Sequence, residues 1–208
     1  SGVPCVFREK PTGCWTVEVS DQTSLDIHVE LEPLITHTDR GGEMTRCIKF
    51  CLYGNCLEGP ICLEETVTFG GLYNFIGKLR DEVKIPKGKW ACITAQDQLH
   101  TLRSCDNDLL CIDGQLEAKF KGDPDLGGNW LIGGNLDGWK KDVSGANPSL
   151  DVIDILDFGT FVSQYNVVYA DNDTDCSTVG PNADINGDGT VNLADYNFAA
   201  LALPSDAG

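Results

Sequence analysis

The chain has 208 residues, 15 Lys and Arg against 32 Asp and Glu, a formal net charge of −17, and 10 cysteines. That length suffices to bury a sizeable core, while so acidic a surface repels phosphate backbones and anionic lipid, which argues against nucleic-acid binding and membrane docking and points to cations as partners. No run approaches the roughly 18 apolar residues of a membrane-spanning helix, and the start at Ser1, without initiator Met or apolar signal segment, reads as a processed, soluble product.

In chain order, Leu25, Ile27, Val29 and Leu31 alternate with Asp26, His28 and Glu30, the period-two pattern of a strand with one wet face. Further strands are expected at Cys47 to Tyr53, Glu65 to Phe69, Lys89 to Ala95, Gln115 to Phe120 and Trp130 to Ile132, each bounded by Gly, Pro, Asn or Asp. Leu72 to Asp81 suggests one short helix. Many short strands without intervening amphipathic helices predict a mainly β fold, an antiparallel β-sandwich or barrel, rather than a βαβ enzyme.

The even and high cysteine count predicts disulfides, and with them an extracellular, secreted protein. Cys5, Cys14, Cys47, Cys51, Cys56, Cys62, Cys92, Cys105, Cys111 and Cys176 are all expected to be bridged. Cys47 and Cys51 share a strand face about 13 Å apart, too far to bridge each other. Cys5 with Cys14 and Cys105 with Cys111 are pairings that short loops allow. Because only Cys176 follows residue 134, complete intrachain oxidation requires it to reach back to the sheet; a free thiol or a bridge to another chain are the alternatives. Zinc is disfavoured, since Cys47, Cys51, Cys56 and Cys62 lack paired ligand blocks and His28, His37 and His100 are scattered.

Charge divides the chain. Residues 135–208 contain 12 Asp, no Glu, and only Lys140 and Lys141 as bases, a net −10. Short Asp and Asn side chains spaced two apart among glycines suit loops that turn oxygens inward around a hard cation. Two domains are therefore expected, 1–134 and 135–208.

Within the second, Asp184 to Asp195 fits the pattern D-x-D/N-x-D/N-G with a carboxylate at the twelfth place. Such a loop binds Ca²⁺ through side-chain oxygens at positions one, three and five, a carbonyl at seven, a direct or water-mediated contact at nine, and a carboxylate at twelve. Those positions are Asp184, Asn186, Asp188, Thr190, Asn192 and Asp195, with Gly189 at the sharp turn and Val191 directed to the core. The competing structural reading is an Asx-rich turn that only caps the following helix.

Asp at position twelve and a short helix from Leu193 to Leu203 resemble the dockerin family of bacterial calcium modules. The resemblance covers roughly a third of the chain and implies two loop-helix repeats. Ile153-Asp154-Ile155-Leu156-Asp157-Phe158 matches Val191-Asn192-Leu193-Ala194-Asp195-Tyr196, so the helical half of a first repeat is present. Its loop is irregular: counting back from Asp157 places Ala146, Pro148 and Leu150 at ligand positions, and an insertion is required. Either Asn135 and Asp137 or Asp142 and Ser144 open it, with Asp151, Asp154 and Asp157 completing a second Ca²⁺ site. Dockerins grip cohesins largely through loop positions ten and eleven, often Ser or Thr; here these are Ile155-Leu156 and Leu193-Ala194, a departure from that pattern. The sheet region has a general likeness to secreted immunoglobulin-like or cohesin-like sandwiches.

No nucleophile elbow, phosphate loop, HExxH or dinucleotide fingerprint is present, so a non-catalytic protein is expected. A sandwich joined to a dockerin-like tail suggests head-to-tail docking on another copy, or on a cohesin-like protein, building a filament or surface layer. Trp15, Trp90, Trp130 and Trp139 offer an alternative as a carbohydrate-binding platform, and a hydrolase attached to the tail is the least favoured reading.

Overall fold

A computed structural model describes residues 22–32, 43–54, 59–70, 76–79, 82–97, 99, 101, 103–106, 110–112, 115–122, 128–136, 153, 155–169 and 174–196. The strands are β1 (Gln22–Glu32), β2 (Glu43–Gly54), β3 (Ile61–Gly70), β4 (Ile76–Leu79), β5 (Val83–Pro86), β6 (Trp90–Asp97), β7 (Ser104–Asp106), β8 (Leu110–Ile112), β9 (Gln115–Phe120) and β10 (Leu131–Ile132). One helix, α1 (Ile155–Gln164), follows, and residues 193–196 form a further helical turn. No helix among the described residues is long and apolar enough to cross a membrane.

The strands run in the order β7-β6-β2-β3-β4-β1-β9-β8, with β5 and β10 also paired to β1. Most pairings are antiparallel, the longest being β2 with β3 from Glu43↔Gly70 to Leu52↔Ile61. Two depart from the antiparallel expectation: β1 runs parallel to β9, from Leu25↔Leu116 to Val29↔Phe120, and parallel to β10 at Leu31↔Leu131. Parallel neighbours need a long crossover, and here the chain from β2 through β8 supplies it before β9 returns to β1.

The short helix expected over 72–81 is corrected. Its described part, Ile76–Leu79, is a strand hydrogen-bonded to both β1 and β3. The residue that makes this possible is Gly77, where a Cβ would come within 2.5 Å of the side chains of Phe69 and Val67. Close backbone approach, not helical periodicity, decides the segment.

Alternation then builds the core. Leu25, Ile27, Val29 and Leu31 all face inward and join Val83, Ile85, Ala118, Phe120 and Leu131. Ile48, Phe50, Leu52, Val67, Phe69, Ile93 and Ala95 belong to the same apolar cluster. Phe50 and Phe120 meet across it with ring centroids 6.3 Å apart. The same parity on β2 places Arg46 inward and Cys47 and Cys51 on the other face. Arg46 is fully buried, with its Nε 3.8 Å from Asp97 Oδ2.

Cys51 and Cys62 are direct cross-strand neighbours of β2 and β3 and are joined by a disulfide. Cys47 is joined to Cys176, 129 residues away, as the reach-back of the last cysteine requires. Cys105 is also disulfide-bonded. Cys92 corrects the expectation that every cysteine is bridged: it is a free, buried thiol. On β6 it lies opposite Tyr53 rather than another cysteine, and burial together with the Asp106 charge pushes its pKa up to about 11. Cys5, Cys14, Cys56 and the side chain of Cys111, and so the suggested 5–14 and 105–111 pairings, lie outside the described residues.

Candidate metal centre

The loop from Asp184 to Asp195 closes on itself through its own carboxylates. Asp184 Oδ2 accepts the Gly189 N–H at 2.9 Å. Asp195 accepts on both oxygens, from Asn186 N–H at 3.0 Å and Asn192 N–H at 2.9 Å. Position one therefore reaches to six, and position twelve reaches back to three and nine. The tight geometry depends on Gly187 and Gly189, whose φ values of 74° and 91° an L side chain rarely adopts. Between them, Asn186 Oδ1 accepts Asp188 N–H and Asp188 Oδ1 accepts Thr190 N–H, both at 2.8 Å. The result is a row of Asx turns.

Position nine serves a different end. Asn192 Oδ1 accepts the Ala194 N–H at 2.7 Å, capping the helical turn at 193–196, and its Nδ2 donates to the Thr190 carbonyl at 2.9 Å. The capping role and the ligand pattern thus coexist in one loop. The loop is anchored from behind by Val191, which exchanges backbone hydrogen bonds of 2.9 Å with Asn166 and Val167, and by Tyr169 N–H donating to Gly189 O at 2.8 Å.

One atom is left over. Asp184 is fully buried and its Oδ1 has no hydrogen-bond partner. Burial pushes the Asp184 carboxyl above its ordinary range, the Gly189 N–H opposes this, and the Asp188 charge adds to it. Asp195 is raised in the same way, first by burial, against the N–H groups of Asn186 and Asn192, then by the charges of Asp184 and Asp188. A buried, unpartnered carboxylate oxygen beside two further carboxylates is electrostatically costly by itself. An all-oxygen donor set with one oxygen free fits a hard divalent cation. Asp184, Asp188 and Asp195, the Asn186 amide oxygen and the Thr190 carbonyl are the groups that would hold it; the ion would supply charge neutralisation and order.

The segment expected to form an irregular first repeat is described in part. Asp137, Asp142, Asp151 and Asp154 lie outside the described residues. Asp157 is buried near the start of α1, and its Oδ1 accepts the Leu136 N–H at 2.6 Å. Leu136 directly follows Asn135, the start of one of the two openings the sequence allows; the other, Asp142 and Ser144, lies outside the described residues. Asn135 is itself buried and donates from Nδ2 to the Thr101 carbonyl at 3.3 Å. Burial repeats between the two segments. Ile153 and Val191 are buried, Asp157 and Asp195 are buried, and Ile155 and Leu193 are exposed at 75% and 60%. Phe158 and Tyr196 meet edge to face at 5.8 Å, next to buried Phe161.

Sequence reasoning missed the residues that seat this loop on the sheet. Thr174 N–H donates to Thr45 O at 3.0 Å, and Asn182 N–H donates to Leu99 O at 3.1 Å. Asn182 Oδ1 in turn accepts the Asp184 N–H at 2.8 Å. Gln164, on α1, accepts from Ala183 N–H and donates to Pro181 O. The positive charge of Arg46 draws on the Asp184 carboxylate. The parity of Arg46 with Ile48, Phe50 and Leu52 was a usable signal, since an inward arginine needs a buried anion.

A second group of potential ligands, Asp26, His28 and Glu117, lies on the wet side of β1 and β9 with ligand atoms within 4.8 Å of one another. Lys119 Nζ already sits 2.7 Å from Glu117, and the cluster is that of an ordinary surface ion-pair network. Trp90, one of the four tryptophans of the carbohydrate-binding alternative, packs against the core and donates its Nε1–H to Pro86 O. Comparisons with protein-family models, curated proteins and solved structures each find no match to this chain.

Proposed function

We propose that this chain is a non-catalytic, extracellular assembly protein. Residues 1–134 are read as an immunoglobulin-like or cohesin-like β-sandwich, and residues 135–208 as a dockerin-like module that binds Ca²⁺ and docks on another macromolecule, a second copy of the chain or a cohesin-like sandwich. The observation that carries the reading is the buried Asp184 Oδ1, which has no hydrogen-bond partner inside a loop with calcium-ligand spacing. The matching burial of Ile153 with Val191, Ile155 with Leu193 and Asp157 with Asp195 supports two related loop-helix units.

For docking, the support is the uncharged, exposed face of the module. Ile155, Leu156, Phe158 and Val162 are exposed along α1, with Leu193 exposed at the corresponding place in the other unit. The helix carries no charged residue except buried Asp157, in a chain of net charge −17. At loop positions ten and eleven, the docking positions in dockerins, Ile155, Leu156 and Leu193 are apolar and exposed, and Ala194 is half-buried.

The test is calcium titration by calorimetry of EDTA-stripped full-length protein, with light scattering and electron microscopy of the same samples. The reading expects saturable Ca²⁺ binding and calcium-dependent association. Absence of binding heat, with no change in melting temperature between calcium and EDTA, refutes it.

A further inference from the structure

The segment from Thr174 to Ala183 runs from the sheet to the mouth of the Asp184–Asp195 loop as a strap held at both ends. Its first anchor is on β2, where Thr174 N–H donates to Thr45 O at 3.0 Å and Cys176 is bonded to Cys47. Its second anchor is Leu99: Asn182 N–H donates to the Leu99 carbonyl at 3.1 Å, and Gly180 approaches so closely that a Cβ there would lie 2.6 Å from Leu99 Cδ2. The strap then hands over to the loop, because Asn182 Oδ1 accepts the N–H of Asp184 itself.

Two residues of β2 thus hold the tail: Thr45 offers its carbonyl and Cys47 a covalent bond. Only one of these ties is independent of the others' equilibrium: the disulfide keeps the strap beside β2 even while its hydrogen bonds open.

We propose that Thr45 and Cys47 form a clasp that pre-organises the metal loop, so that the Cys47–Cys176 bond sets the calcium affinity of Asp184–Asp195. This rests on the calcium reading of that loop. Where the binding-competent arrangement is populated only in part, apparent affinity falls by that fraction. A chain lacking the bond samples strap positions away from β2, in which Asp184 is no longer held by Asn182 against Leu99. If the docked population falls to about a tenth, the apparent Kd rises about tenfold. The loop is then a part of the sheet's own structure rather than a freely tethered module.

The experiment compares full-length wild type with two double variants, Cys47→Ser with Cys176→Ser, and Cys51→Ser with Cys62→Ser. The second removes a disulfide from the same strand without touching the strap. Calorimetric titration of EDTA-stripped protein with CaCl₂ should give about a tenfold weaker Kd for the first variant and a wild-type Kd for the second. Equal affinity in all three, or equal loss in both variants, overturns the clasp while leaving the calcium reading intact. No binding in wild type overturns the calcium reading itself. Should the first variant fail to fold by circular dichroism, hydrogen exchange of wild type decides: calcium should slow exchange at the amides of Thr174 and Asn182 as well as within the loop. Slowing confined to 184–195 overturns the proposal.

Discussion

Replacing Asp184 by Asn separates a metal ligand from a structural carboxylate, because the two roles predict different dependence on calcium. In wild type one oxygen accepts the Gly189 N–H and the other is buried without a partner. Asn keeps an oxygen for Gly189 and puts an NH₂ group where the unpartnered oxygen was. Burying that donor costs about 1–3 kcal/mol, offset by removing a buried charge that Asp188 repels. In EDTA the variant should therefore lie within about 1 kcal/mol of wild type. With free calcium at about 100 times Kd, wild type gains about 2.7 kcal/mol, whereas a variant with Kd raised about 100-fold gains only about 0.4 kcal/mol. At about 2–4 °C per kcal/mol for a chain of this size, calcium should raise the wild-type Tm by about 5–11 °C and the variant's by about 1–2 °C. Differential scanning calorimetry in paired calcium and EDTA buffers reads this directly. If Asp184→Asn lowers Tm by the same amount in both buffers, the carboxylate is structural and the metal assignment fails.

Phe161→Ala removes the buried ring that Phe158, Tyr165 and Tyr196 surround; a loss of about 3–5 kcal/mol in chemical denaturation is expected, and a loss below about 1 kcal/mol would mean that the aromatic cluster is not a packed core. Ile155→Asp with Leu193→Asp places charge at two exposed positions and should abolish calcium-dependent light scattering while leaving calcium binding heat unchanged; persistent association would move the docking surface elsewhere. The Cys92 thiol, pushed up to about 11, should resist alkylation at pH 8 until denaturant is added, as read on the Cys92 peptide by mass spectrometry. The sign of its pH effect follows. A thiol whose folded value lies above its ordinary one stabilises the fold below that ordinary value, and the contribution is lost as pH rises toward about 11, so unfolding midpoints should fall across that interval.

What was legible from residues alone was whatever is encoded in contiguous spacing. The alternation of Leu25 to Leu31 places all four side chains in the core, and the second loop carries its ligand pattern within one unbroken run. What was not legible depends on distant parts meeting. The parallel pairing of β1 with β9 leaves no trace in local periodicity, because either orientation buries the same alternate residues. The strand at Ile76–Leu79 reads as a helix until Phe69 and Val67 are known to press on Gly77. The proposed first repeat is obscured for the same reason: Leu136 and Asp157, joined by a hydrogen bond, are 21 residues apart, and the intervening chain breaks any fixed motif.

Complete intrachain oxidation would require Cys176 to cross back to the sheet, and the free thiol of Cys92 shows oxidation to be incomplete. The crossing nevertheless occurs, and its position matters more than its existence. Cys176 meets the strand residue next to Arg46, whose positive charge acts on Asp184. On the proposed calcium reading, the loop's carboxylates would draw on two positive charges, that of Arg46 and that of a cation from solution. The buried Asp184 oxygen without a hydrogen-bond partner is where the cation would contribute most.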